Sequence, residues 1–200
     1  MPSTLETPAQ LHALAADVHA ALSAGEQAPP MGVREVRIDG ETFQFPYRTY
    51  YVPSRLRQIV DSLDNQARAF SLGMCTRHRD GHVREWAATE LDPTAYPWAC
   101  AFAVQLLGEY VVEIAKVIEA KVNRSGAAPY LSFVRENRAF LAITKRRATS
   151  YWDCYYRSQY KQLREFPNYR LATLLEAAPR ECGLTPRSTG PATASAVSPA

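Results

Sequence analysis

Apolar positions along this chain recur mostly at helical spacing. In residues 8–24, Leu11, Leu14, Ala15, Val18 and Leu22 fall on one face, which predicts an amphipathic helix. The same period returns at Pro53 and Ser54. It predicts a helix over 53–73 with Leu56, Ile59, Val60, Leu63, Ala67 and Phe70 inward, ended by Gly73. Residues 76–80 read as a short polar turn. A second helix over 81–91 turns Val83, Trp86, Ala87 and Leu91 inward, and Asp92-Pro93 stops it. A third, over 97–122, is apolar nearly all round at its start and is expected to be central and buried. After a loop at 123–128, two further helices are predicted over 130–144 and 147–165. Phe166-Pro167 breaks the second, and a short helix covers 169–178.

One stretch has a period of two instead. Val36 and Ile38 are separated from Phe43 and Phe45 by Asp39-Gly40, a strong hairpin signal because Gly accepts the positive φ of a type I′ turn. This predicts a β-hairpin over 33–45, ended at Phe45-Pro46. A lone hairpin is marginally stable. It must therefore lie on the helices or pair with another strand, including a partner's. Pro29 and Pro30 mark a linker over 25–32, on which the first helix is expected to sit loosely. The fold class that results is mainly α: a compact multi-helix domain with a small N-terminal β-hairpin. Three regions are expected: 1–32, an N-terminal helix and Pro-rich linker; 33–180, one globular helical domain; and 181–200, a Pro/Ser/Thr/Ala tail with too little apolar area to order itself.

Composition narrows the function classes. The N-terminus has no basic flank or apolar core of a signal peptide, and the longest uncharged run, 93–108, is 16 residues, short of a bilayer span. Cys75, Cys100, Cys154 and Cys182 lack CxxC spacing and read as free thiols of a cytoplasmic protein with no membrane partner. A net charge of +3 does not mark a nucleic-acid binder by itself. Of 23 basic residues 19 are Arg, which suits phosphate and carboxylate recognition but equally reflects a GC-rich coding bias.

The segment 75–91, CTRHRDGHVREWAATEL, resembles the second half of a HEAT-like helical repeat through Asp80, Val83, Arg84, Ala87 and Leu91. The resemblance implies that Asp80 caps the second helix, that Val83, Ala87 and Leu91 face inward, and that Arg84 braces the turn or the adjacent repeat. Residues 53–74 would then be the first half of the unit. No second copy follows, so one HEAT-like hairpin of about 40 residues is expected rather than an array. Such modules mostly serve as binding surfaces, a fold-level analogy.

Three groups of residues carry candidate chemistry. His78 and His82, with Glu109 and Glu113, supply two i, i+4 pairs that facing helices could bring together as a metal site. The chain has no Glu-x-x-His pair, and no cofactor is expected. The same set supplies the catalytic candidates Glu109, Glu113 and His82. A carboxylate in the apolar stretch around Glu109 needs a partner, for which Arg84 or His82 is the natural choice and other arginines are available; a structural ion pair is the competing explanation to a raised pKa that would make it a general base. Cys154 reads as a core thiol rather than a nucleophile, since no His follows His82.

Residues 145–170 are the most unusual. Seven positive and two negative charges give +5, and 151–169 hold seven aromatic residues. Trp152, Tyr156 and Tyr160 form one helical stripe, and Arg157, Lys161 and Arg164 form another beside it, with Arg147 one helical turn before Tyr151. Tyr, Trp and Arg dominate protein–protein hot spots, and aromatic rings beside cations also hold unpaired bases and phosphates. The expected function is a protein-interaction module using this surface. Nucleic acid is the alternative partner, and a metal-dependent enzyme the second alternative. A core-margin role for the aromatic stripe is the competing structural explanation. A further Arg/Tyr group, 47–51 with Arg55 and Arg57, extends the surface if it folds nearby.

Overall fold

Asp39 and Gly40 have φ of 52° and 81°, both in the left-handed region that a type I′ turn requires. They join strand β1, Met31–Ile38, antiparallel to β2, Glu41–Arg48, in register from Ile38↔Glu41 to Met31↔Arg48. The hairpin is longer than expected, because β2 continues through Pro46. Antiparallel backbone groups alternate between the partner strand and the outer edge. Gln44 donates its N–H outward, to the Glu6 carbonyl at 2.6 Å. Pro46, two residues on, shares that direction, so no ladder bond is lost.

The computed structural model describes residues 5–23 and 28–177. It is mainly helical. Helix α1, His12–Ser23, follows a 3-10 turn at Ala9–Leu11 and buries Leu11, Val18 and Leu22 in the same core as the hairpin, so it is packed rather than loose. The expected helix over 53–73 is two: α2, Pro53–Asp61, and α3, Asn65–Cys75. Asp64 starts α3 by accepting the Ala67 N–H at 2.9 Å. Gly73 does not end a helix. It lies inside α3, where a Cβ would sit 2.6 Å from two ring carbons of Phe102. Helix α4, Gly81–Glu90, is capped by Asp80, which accepts the His82 N–H at 2.8 Å.

The long helix expected over 97–122 is also two, α5, Ala99–Leu106, and α6, Val112–Ser125. The C-terminal half divides at Asn137, not at residue 145: α7 is Ala128–Glu136 and α8 is Arg138–Tyr151. A π turn, Trp152–Tyr156, continues α8, and a 3-10 turn, Leu163–Glu165, leads into α9, Pro167–Glu176. Nine α-helices and one two-stranded sheet thus make up the described residues. The expected tail 181–200, Cys182, the last residue of the expected first helix, 24, and linker residues 25–27 lie outside them. No helix among the described residues is long and apolar enough to cross a membrane.

The inner face of the hairpin explains its stability. Phe43 and Phe45 pack with Phe70, Trp98 and Phe102 at centroid separations of 4.9–6.3 Å. Helix α5, wholly buried, is the centre of this core. A second small cluster, Val112, Ala148 and Phe166, sits where α6, α8 and α9 meet, covered by Trp152, Tyr156, Tyr160 and Tyr169.

Candidate binding site

The break between α5 and α6 organises the polar interior. Leaving the helix frees carbonyls that must find donors if buried. Asn168 donates to the carbonyls of Leu107 (3.1 Å) and Glu109 (3.0 Å), Arg147 Nε to that of Gly108 (3.0 Å), and Tyr156 Oη to that of Tyr110 (2.7 Å). Four consecutive carbonyls are therefore held by side chains from α8, the π turn and α9.

Glu109 in this break is fully buried. Arg48 grips it bidentately, Nη1 to Oε1 at 2.9 Å and Nη2 to Oε2 at 2.6 Å, and Arg77 Nη2 reaches Oε1 at 2.7 Å. Thr49 brings the two arginines together. Its N–H donates to the Arg77 carbonyl, and its own carbonyl accepts the Arg79 N–H, both at 3.0 Å. Burial alone would raise the Glu109 pKa, but the charge of Arg77 and the hydrogen bonds from Arg48 outweigh it and hold it at about 2. Burial lowers Arg77 to about 10, and Arg84 lies close enough to add to that. One carboxylate thus serves an excess of guanidinium groups. Arg77 keeps Nε and Nη1, and Arg84 keeps Nε and Nη2, without partners among the described residues.

Tyr47 carries the excess outward. Arg34, Arg48 and Arg147 lie over its ring at 4.4, 4.6 and 5.1 Å, within cation–π range. Arg147 Nη2 also donates to Tyr47 Oη at 2.6 Å. The group 47–51 therefore does meet the basic-aromatic C-terminal segment. Neither Arg34 nor Arg147 has a carboxylate partner among the described residues. Tyr151 contacts Tyr110 and Tyr155 at 6.1 and 6.3 Å, and the last two rings are largely exposed. Beside this group a cleft of about 250 Å³ separates β1 from α8, lined by Val33, Arg34, Glu35, Phe140, Ile143 and Arg147, with Gln105 and Thr144 at its base.

The residues expected from sequence are distributed differently. Glu109 pairs with Arg48 and Arg77, not with Arg84 or His82. Arg84 instead donates to the carbonyls of His78 (2.8 Å) and Arg79 (2.9 Å). The turn at 76–80 is not an exposed polar one, since Thr76, Arg77 and His78 are fully buried. Both ring nitrogens of His78 are engaged. Nδ1 accepts the Asp80 N–H at 3.0 Å, so Nε2 donates to the Tyr51 carbonyl at 2.9 Å, and burial lowers its pKa. His82 and Glu113 are exposed on α4 and α6. The four proposed metal ligands are not gathered. Among the described residues no three His, Cys, Asp or Glu side chains form a group that could hold a metal ion. A carboxylate held at about 2 by two guanidiniums is also a poor proton acceptor, which removes the physical basis for Glu109 as general base.

Trp152, Tyr156 and Tyr160 are half-buried over the small cluster, with Trp152 Nε1 donating to the Tyr160 carbonyl at 2.9 Å. They are a core margin. Arg157 lies over the Trp152 ring and pairs with Asp153 at 2.8 Å, while Lys161 and Arg164 are exposed. Cys154 is an exposed thiol, not a core one, whereas Cys75 and Cys100 are buried. Sequence reasoning passed over Arg34 and Arg77. Arg77 carried no local signal, because the burial of Thr76, Arg77 and His78 is set by packing against residues distant in sequence. Comparison with family models, curated proteins and solved structures finds no match to this chain.

Proposed function

We propose that this chain is a cytoplasmic protein-interaction module that binds an acidic segment of a protein partner on the Arg/Tyr face around Tyr47. The observation that carries this reading is the set of three guanidiniums on one tyrosine ring, two of them without a carboxylate, at the mouth of a partly apolar cleft. Arg and Tyr present large, preorganised contact area and bidentate donors to carboxylates. The reading shifts the surface from the stripe 152–160 to Arg34, Tyr47, Arg147 and Tyr151. The HEAT-like reading of α3 and α4 belongs to the same proposal: Asp80 caps α4, and Arg84 braces the turn that places Arg77.

The test is fluorescence anisotropy with an end-blocked octapeptide alternating Glu and Val, against its Lys/Val counterpart and a single-stranded oligo-dT. The Glu/Val peptide is expected to bind best, and Arg34→Glu to weaken it by about tenfold. Tighter binding of oligo-dT, falling steeply as salt rises, overturns the protein reading in favour of nucleic acid. Equal binding of the Glu/Val and Lys/Val peptides overturns it altogether.

A further inference from the structure

The two edges of the hairpin are treated unequally. On the β2 edge, Gln44 donates to the Glu6 carbonyl, and its side-chain Oε1 accepts the Glu6 N–H at 3.0 Å. Pro46 removes the next donor. The β1 edge is closed at one end only. Asn137 there imitates a neighbouring strand: its Oδ1 accepts the Arg37 N–H and its Nδ2 donates to the Arg37 carbonyl, both at 2.7 Å. These bonds show that the backbone groups of Arg37 face away from β2. By the alternation of an antiparallel ladder, those of Glu35, Val33 and Met31 face the same way. Val33 and Glu35 have no backbone partner on that side among the described residues.

An open edge is normally blunted by Lys, Pro, a bulge or a covering element. Here the opposite is found. Met31 and Val33 on the edge are 52% and 50% exposed, and Ile143 on the facing helix α8 is 46% exposed. The 250 Å³ cleft between them has room for side chains, and Val33 and Glu35 line it. An unpaired strand edge beside a helix with apolar rims is the geometry of peptide recognition by strand addition.

We infer that an extended acidic–apolar segment of a protein partner docks in this cleft as a third strand, paired to β1 at Val33 and Glu35. This rests on the acidic-partner reading above and gives it a binding mode. Charge selects the occupant. Arg34 and Arg147 line the cleft, and Glu35, its one acidic residue, already accepts from Gln44 Nε2 at 3.0 Å. A second copy of β1 would bring Arg34 and Arg37 against Arg34 and Arg147. The chain's own residues 178–200 offer two arginines and one glutamate, and little large apolar surface. An acidic strand with alternate apolar residues meets both requirements: on one face its carboxylates meet Arg34 and Arg147 beside α8, and on the other its apolar side chains meet Val33 and Met31.

The test uses the full chain and the Glu/Val octapeptide, with two N-methylated versions in which alternate amides are blocked in one register or the other. One methylated register should bind about tenfold more weakly than the other, because only one set of amides faces β1. Glu35→Pro removes an outward N–H that the hairpin does not use and should weaken binding similarly, with the thermal melt as the check on folding. Ile143→Glu should weaken binding and Ile143→Lys strengthen it, opposite signs that a folding defect cannot produce. Equal affinity of the two methylated peptides overturns strand addition while leaving the acidic-partner reading intact. That reading fails separately, when Glu/Val and Lys/Val peptides bind alike. Two other results also overturn the inference: a dimer in sedimentation that Glu35→Pro dissociates, which makes the occupant a second copy, and strong exchange protection of the Val33 and Glu35 amides in the free monomer, which means the chain's own segment already covers the edge.

Discussion

Glu109 shows how a residue that reads as chemistry becomes structure. Its two oxygens receive three hydrogen bonds from Arg48 and Arg77 in a fully buried site. Taking such charges out of water is costly, and only close geometry offsets it. Removing one member therefore costs more than the pair contributes. Glu109→Gln leaves two guanidiniums buried without their counter-charge and is expected to lower stability by about 3–5 kcal/mol, measured by urea denaturation. The same groups set the acid response. Glu109 is depressed from 4.5 to about 2 in the folded chain, so its contribution is complete above about pH 4.5 and is lost as pH falls toward 2. His78 acts at higher pH. Its folded pKa lies below 6.5, so the unfolded chain takes up a proton first and stability declines as pH drops below about 6.5. Stability measured against pH should therefore fall in two steps, and Glu109→Gln should flatten the lower one only.

Among the elements, the α5–α6 break decides how the C-terminal half packs. The carbonyls at 107–110 are satisfied by Asn168, Arg147 and Tyr156, so α8, the π turn and α9 are tied to one loop. Asn168 is fully buried and serves two of them. Asn168→Ala leaves two carbonyls without a donor and is expected to cost roughly 2–4 kcal/mol, with faster amide exchange along α9. Sequence reading missed the break for a physical reason. Gly108 is the local sign, and a single glycine in a helical pattern costs only about 1 kcal/mol, which tertiary contacts easily override in either direction. Here Arg48 and Arg77, from 61 and 32 residues earlier, draw Glu109 out of helical register.

For the whole molecule, the basic-aromatic character divides between two jobs. The stripe Trp152, Tyr156 and Tyr160 covers the cluster at Val112, Ala148 and Phe166, whereas Arg34, Tyr47 and Arg147 stand at the cleft. The two jobs are separable. Tyr156→Ala is expected to lower stability by roughly 2 kcal/mol while leaving affinity for the Glu/Val peptide within about twofold. Arg34→Glu should do the reverse, weakening the peptide with a thermal midpoint close to the parent's. A Tyr156→Ala variant that keeps its stability and loses the peptide would return the binding surface to the stripe.

Local rules were enough for several elements. Asp39-Gly40 determined the hairpin, because Asp and Gly accept the left-handed φ values that a two-residue type I′ turn needs. Asp80 determined the start of α4, because its carboxylate accepts a free N–H two residues on. The mainly helical fold class followed from a period of 3.6 repeated along most of the chain. Tertiary structure alone decided where the long helices divide, which arginines meet Glu109, and which aromatic rings face inward. Each depends on partners tens of residues away, and the free energy of pairing a buried charge or covering a small core exceeds any preference that neighbouring residues express. The open edge of β1 belongs to both levels. Its alternation is written in 31–38, but that it remains unpaired beside α8 follows only from how the helices were placed around it.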